Sequence, residues 1–525
     1  MTLYLGIDVG SASARAGLFD GDGTLRGTGR EGFETRTTGP RVAQSSADIW
    51  RAVGVAVRAA LAEAGAGPGD VRGIGVDAAC SMVVLDAEGG PVEVGADAGF
   101  DVIVWMDQRA TDQAARINAG DHAVLAYVGG RISPEMQTPK LLWLKEERPD
   151  AYARAARFLD LADFLTFRAT GDDTRSTCTL TCKWTYLAHE GRFDADYFRA
   201  VGLGDHAEDG FARIGPRIAP PGTALGDGLT PAAAADLGLA PGTPVAAGLI
   251  DAHAGGLGTV GAPGEDGAGP RDRMAYVLGT SACTMSSSPE PVFVPGVWGP
   301  YRSAMVPGLW LSEGGQSAAG AAIDRLIEGH AASAEARTSA GDMPLAPWLG
   351  ARLAERGGED PAALADGRIV VPDFLGNRAP LADPARRAVI AGLGMETGLD
   401  DLLALYAAGL CGIGYGLRQI LDVQRAAGLD VAEIVVSGGA GTDPVVQRIL
   451  ADCAGVPVAV PATREPVLLG AAILGRLAAG DGAEATEVMA TMSGIATRRL
   501  PNPATAARHD RDYARFLALQ AAAAP

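Results

Sequence analysis

The stretch "GLIDAHAGG" (248–256) sets an aspartate and a histidine two residues apart among glycine and alanine. Either Asp251 or His253 could take a proton from a hydroxyl. Histidine has the better unperturbed pKa, whereas an aspartate at a helix N-terminus is favoured in its ionised form. Small neighbours would leave room for a reactant. The competing reading is tight packing, with Asp251 as a helix cap. A second carboxylate, Asp8, ends the apolar run "LYLGIDV" and precedes Gly10, Ser11 and Ser13, with Arg15 just beyond. A turn of small residues can aim backbone N–H groups at phosphate oxygens, and a neighbouring carboxylate can reach a Mg²⁺ bound to that phosphate. Taken alone, Asp8 would be a turn-capping carboxylate. The pattern recurs, however, at Gly279, Thr280 and Ser281, and two such turns could clamp one triphosphate from both sides.

These residues need elements to position them. "TLYLGIDVG", "ARAGLFD" and "TLRGTGREGFE" read as three strands, with "GDG" as a turn. Ile49, Val53, Val57 and Leu61 recur at helical spacing over 46–64, and "VRGIGVDAACSMVVLD" supplies two more strands. The opening order is therefore strand, strand, strand, helix, strand. "PKLLWLKEERPDAYARA" and "LDLADFLTFRATG" read as helices. "TPVAAGLI" (243–250) reads as a buried strand, and a helix begins at Asp251. The Gly/Pro/Asp-rich segment 262–272 reads as a surface loop or hinge. "RMAYVLGTSACTMSSS" (273–288) repeats the plan of the opening hairpin, which suggests two domains built alike. "AEIVVSGGAGTDPVVQRILADCAGVPVAVP" (432–461) reads as strand, Gly-rich loop, capped helix and strand. Thr442 or Asp443 serves as the cap, Pro444 stands in the first turn and Gly455 at the end. A helix closes the chain.

At 525 residues the chain exceeds one ordinary core, so at least two domains are expected. The divisions read as 1–255, 256–485 and a helical extension, 486–525. A net charge of −19 argues against a nucleic-acid partner, which would need clustered Lys and Arg, but not against a small phosphate ligand. No apolar run reaches the length of a membrane span, and the N-terminus has no basic leader. Six cysteines are too few for a disulfide scaffold. Cys178 and Cys182 lie four apart, but no second Cys or His pair completes a zinc set. These features describe a soluble protein of a reducing compartment, the cytoplasm. The only lysines are Lys140, Lys145 and Lys183.

Gly256, Gly258 and Gly261 match G-x-G-x-x-G, the dinucleotide fingerprint. Its context is wrong: the glycines do not directly follow a strand, and no helix to a second parallel strand comes after. Packing of a helix through small residues is the better reading.

The segments together resemble the FGGY family of carbohydrate kinases, within the actin-like ATPase superfamily. "GIDVGSASARAGLFD" resembles the first phosphate motif and "VLGTSAC" the second. "VWMDQRA" (104–110) resembles the W-x-D-x-R motif beside the sugar, and "PKLLWLKEE" (139–147) a family signature, although the residues just upstream depart from its strict pattern. "GLIDAHAG" resembles the catalytic-aspartate segment. "VVSGGAGTDPVVQRILADCAGVPV" resembles the adenosine motif, which would put Gly438, Gly439, Ala440 and Gln447 on ATP. "EPVLLGAAILG" (465–475) resembles the segment closing the nucleotide domain. The resemblance implies a two-domain, actin-like (ribonuclease-H-like) α/β fold with a cleft, and ATP with Mg²⁺ on Asp8 and Asp251. It makes Asp251 the general base, with Ala79, Lys183 and Glu313 on the sugar, His253 shaping the site, and Asp107 and Arg109 bracing its wall. Among family branches, "DAACSMVVLD" with "VIVWMDQRA" is most similar to the ribulokinase-like one, although Gln108 stands where close relatives often carry His. D-ribulose is the expected acceptor, with L-ribulose, ribitol or another polyol as alternatives. A non-catalytic ATP-binding member and a dinucleotide oxidoreductase are the other readings. Homodimers occur in the family, but no interface is legible here.

Overall fold

A computed structural model describes residues 1–95, 97–264, 267–482 and 484–523. Two large sheets carry the architecture. In the first, strands Leu249–Ile250, Val71–Ala78, Leu3–Val9, Ser13–Phe19 and Leu25–Gly32 lie side by side. Leu3–Val9 is buried along its whole length because helices cover both faces of the sheet, so it reads as continuously apolar. On one face lies Ser46–Ala64, capped by the Ser45 hydroxyl and stopped by Gly65 in the left-handed region. On the other lies Pro466–Ala478. It sits so close that a Cβ on Gly75 would fall 1.8 Å from the Ala471 carbonyl oxygen.

The second sheet runs Trp298–Arg302, Trp310–Gln316, Ala282–Ser288, Arg273–Leu278, Glu433–Ser437, Val458–Pro461 and Ile495–Arg499. Its cover includes Leu399–Ala426 and Pro444–Ala454, both lined with residues of the second core. The latter helix begins as the sequence predicts: Asp443 accepts the Val445 amide at 2.8 Å, Pro444 occupies the first turn, and Gly455 ends it. Each sheet contains the predicted hairpin, antiparallel with Val9 opposite Ala14 in one and Leu278 opposite Ala282 in the other. The terminal helix, Ala506–Ala522, inserts Tyr513 and Phe516 into the second core.

Three expectations are corrected. Strands Thr35–Thr38 and Arg41–Gln44 fall between the third strand and the first helix, in a separate sheet with Val102–Ile103, Met82–Leu85 and Arg157–Asp160. Thr35–Thr38 is exposed throughout, so no apolar alternation marked it. The helix over "PKLLWLKEERPDAYARA" is two, Gln137–Glu147 and Pro149–Arg154, because proline expels the preceding Arg148 from helical geometry (φ −138). Of 243–250, only Leu249–Ile250 is a sheet strand. Val245 makes a single bridge to Ile74, while segment 222–229 takes the other edge through Leu225 and Gly222. Of the 262–272 loop, residues 265 and 266 lie outside the described residues.

Helix Asp251–Val260 links the two sheets and crosses Pro466–Ala478. Gly256 and Gly258 are inside this helix and Gly261 caps it. A Cβ on Gly258 would stand 2.1 Å from the Pro466 carbonyl oxygen, and one on Gly470 would stand 1.9 Å from that of Ala254. The glycines set a close helix crossing, as the sequence context indicates. Gly258→Ala should lower stability by about 1–3 kcal/mol, as overpacking does, read from denaturant unfolding. An unchanged midpoint would mean that the helices separate freely.

Candidate active site

The helix from Asp251 and the two hairpin turns converge on one cleft of about 350 Å³. Its wall includes Asp8, Gly10, Ser11, Ser13, Arg15, Ala79, Lys183, Asp251, Gly279, Thr280, Ser281 and Glu313. The structure thus brings together residues that the sequence scatters over more than half its length.

The two turns are built alike. Gly10 donates its amide to Ser13 O at 3.1 Å and Gly279 to Ser281 O at 2.9 Å. The amides of Ser11, Ala12, Thr280 and Ser281 have no protein acceptor among the described residues, so they are open to an anion. The first turn is braced by Trp105, which donates its indole N–H to Ser11 Oγ at 2.9 Å, and by Gln44, which bonds Ser11 O at 2.8 Å. Arg15 binds Asp8 Oδ2 through Nε at 2.7 Å and Glu465 at 2.8 Å.

Asp8 and Asp251 both line the cleft, with the fully buried Asp77 next to Asp8 in sheet register. Burial, then the charge of Asp8, pushes Asp251 up to about 6. The same two causes hold Asp77 well above the usual carboxylate range. Asp251 accepts the Ala252 amide at 2.7 Å and has no ion-pair partner among the described residues. Two like charges facing one cleft are what a hard divalent cation would relieve, and carboxylate oxygens suit Mg²⁺. The residues present fit that ion.

The same cleft holds the pair Lys183–Glu313, 3.9 Å apart, with the ammonium 4.7 Å from the Trp298 ring centroid. Burial works against the charge of Glu313, but Lys183 and His253 outweigh it and bring the carboxyl down to about 2. Burial likewise opposes the Lys183 charge, and Glu313 reverses it, raising its pKa. Both side chains are therefore charged. His253 does not line the cleft. It is fully buried behind Glu313, with Nε2 at 3.3 Å from that carboxylate. Asp107 and Arg109 bond each other at 2.7 Å away from the cavity. Lys140 holds the carbonyls of Val104 and Trp105, each at 3.1 Å.

The third motif lies at a second cavity, about 570 Å³, lined by Leu278, Ile323, Ala346, Tyr406, Gly439 and Ala440 among others. Gly438 and Gln447 do not line it. Gly438 adopts φ +90 with no room for a Cβ against Leu278 O, and Gln447 is buried and donates to Gly441 O at 3.0 Å. They shape the loop that Gly439 and Ala440 present. The second hairpin separates the two cavities: Val277 and Gly279 face the cleft, whereas Leu278 faces the apolar chamber.

Sequence reasoning missed Cys80, Glu135, Trp298, Cys283 and Arg378, all in the cleft wall, whereas Trp105, also in that wall, heads the W-x-D-x-R segment. Among the described contacts, Arg378 bonds only Cys283 Sγ, at 3.6 Å, so its guanidinium keeps donors for a ligand. Arg378 lies in a segment rich in turn residues, "GNRAPLADP", where only long-range contact reveals the role.

Fold and cleft together define a two-domain, actin-like (ribonuclease-H-like) α/β architecture, with the cleft lined by residues of both large sheets. Residues 3–258 match the N-terminal domain of the FGGY family of carbohydrate kinases, and residues 274–479 its C-terminal domain. The chain belongs to this family and is a carbohydrate kinase. A Danio rerio protein described as FGGY carbohydrate kinase domain-containing is 45% identical, over 98% of this chain and 97% of its own. A Saccharomyces cerevisiae D-ribulokinase is 35% identical over 91% and 72%. In fold, a xylulose kinase from Rhodospirillum rubrum superposes with TM-score 0.81 at 22% identity, over 99% and 98%. No helix among the described residues is long and apolar enough to cross a membrane.

Proposed function

We propose that the chain transfers the γ-phosphoryl group of ATP to a hydroxyl of D-ribulose, giving D-ribulose 5-phosphate. The observation that carries this reading is one cleft whose wall holds Asp251, both small-residue turns and the charged pair Lys183–Glu313. The likeness to the yeast D-ribulokinase favours D-ribulose over L-ribulose or ribitol.

In this mechanism the apolar chamber at Gly439 and Ala440 takes adenosine, and the triphosphate passes the second hairpin into the cleft. The free amides at Ser11, Ala12, Thr280 and Ser281 hold its oxygens. Lys183 donates to sugar hydroxyls and Glu313 accepts from them, while Ala79 offers its backbone. Asp251 orients the attacking hydroxyl and accepts its proton as the new O–P bond forms and the bond to ADP breaks. Positioning and charge neutralisation do most of the work. A Mg²⁺ held by Asp8 and Asp251 would supply neutralisation of phosphate charge. Arg15, tied to Asp8 and Glu465, fixes Asp8 in place.

An assay of ADP release with ATP and Mg²⁺ across D-ribulose, L-ribulose, D-xylulose, ribitol and glycerol tests this. D-ribulose should give the highest kcat/KM. Another sugar in first place would reassign the substrate, and no stimulation by any polyol would remove the sugar site altogether.

A further inference from the structure

Behind the sugar wall, helix Thr177–Lys183 meets the first turn of helix Asp251–Val260. Cys178 and Cys182 are one turn apart on the first, and His253 comes from the second. All three are fully buried, and one ligand atom from each lies within 4.8 Å of the others. No other group of three or more such ligands occurs among the described residues. Cys178 Sγ stands 3.1 Å from His253 Nδ1 and accepts the Ile250 amide at 3.4 Å.

Packing alone accounts for buried thiols, since cysteine behaves as a small hydrophobe. It does not account for the orientation of the imidazole. Glu313 fixes Nε2, leaving Nδ1 as the nitrogen aimed at the sulfurs. A carboxylate on the far nitrogen is how metal-ligating histidines are commonly held.

We propose that Cys178, Cys182 and His253 form a buried site for Zn²⁺. On binding, each thiol loses its proton to solvent and each sulfur donates a pair to the metal, with His253 bound as neutral imidazole through Nδ1. Two thiolates and one dication sum to zero, which suits a dry interior where net charge is costly. With metal–sulfur and metal–nitrogen bonds of about 2.3 and 2.0–2.1 Å, Cys178 Sγ and His253 Nδ1, now 3.1 Å apart, would open by a few tenths of an ångström to admit the ion. The site touches the sugar wall through Glu313 but does not depend on which sugar is phosphorylated.

The test is a competition titration of the full-length, metal-stripped protein with Zn²⁺ and a chromophoric chelator, followed by metal analysis after gel filtration. The expected result is about one tightly held Zn²⁺ per chain, with affinity reduced at least about 100-fold in Cys178→Ser/Cys182→Ser. The control, Cys411→Ser/Cys453→Ser, alters two buried cysteines elsewhere and should keep the metal. No zinc on the wild-type protein, or undiminished zinc on the first variant, overturns the proposal. Should that variant not fold, Co²⁺ loading of the wild-type protein decides: intense sulfur-to-cobalt absorption in the near ultraviolet supports the site, and its absence refutes it.

Discussion

Asp251→Asn is expected to lower kcat with the sugar by about 10²–10⁴-fold, the range that a positioned proton acceptor contributes, while the protein stays folded. The amide has the shape of the carboxylate and can still accept the Ala252 N–H, but it cannot take the hydroxyl proton. Sugar KM should move much less than kcat, because Lys183 and Glu313 remain. The pH profile gives an independent reading. With Asp251 raised to about 6, wild-type kcat/KM should fall about tenfold per pH unit below 6, and this acid limb should disappear in the variant. Stability should move the other way. A carboxyl whose folded pKa lies above its unfolded value binds its proton more tightly when folded, so its ionised form opposes folding at neutral pH. That cost fades as pH falls from 6 towards 4. At pH 7.5 the variant should therefore unfold no more easily than wild type, and inactivity could not be blamed on misfolding. Near-normal turnover would remove Asp251 from the role of base.

Legibility in the sequence followed the range of the interactions. Both hairpins could be read because each is local: a strand, a small-residue turn and a returning strand lie within twenty residues. The helix after Asp443 was legible for the same reason, since its cap, first-turn proline and terminal glycine are contiguous. The exposed strand Thr35–Thr38 was silent because neither face enters a core. The cleft divides in the same way. Local sequence offered Asp251 and His253 alike; the choice of Asp251, and the naming of Lys183 and Glu313, came only because whole motifs resembled a family, and nothing local distinguishes Glu313 from a solvated glutamate. Arg378 and Trp298 reach the cleft through tertiary packing, and no motif marked them. His253 shows the limit most plainly. Its neighbour in sequence pointed to the cleft, whereas its partners, Cys178 and Glu313, lie 75 and 60 residues away and place it behind the wall.

The charged pair gives the second large effect. Lys183 and Glu313 are both about 8% exposed and 3.9 Å apart, a spacing that couples their charges yet leaves hydrogen-bonding capacity for sugar hydroxyls. Truncating one partner of a buried charge pair typically costs about 2–5 kcal/mol, so Lys183→Met should reduce kcat/KM for the sugar by roughly 30- to 5,000-fold. It should also destabilise the protein, because Glu313 would lose its nearest counter-charge in a buried site, leaving His253 and the weaker influence of Arg378. The double variant Lys183→Met/Glu313→Leu separates the two effects. Replacing both charges with apolar side chains of similar bulk removes the uncompensated charge, so unfolding stability should recover towards wild type. Activity should not recover, because nothing then meets the sugar hydroxyls. Binding of ATP alone, through backbone amides of the turns and an apolar chamber that this pair does not line, should be unchanged in all three proteins. If the double variant regained both stability and turnover, Lys183 and Glu313 would be a structural pair, and recognition of the sugar would have to pass to Glu135 and Arg378, the remaining charged groups on that side of the wall.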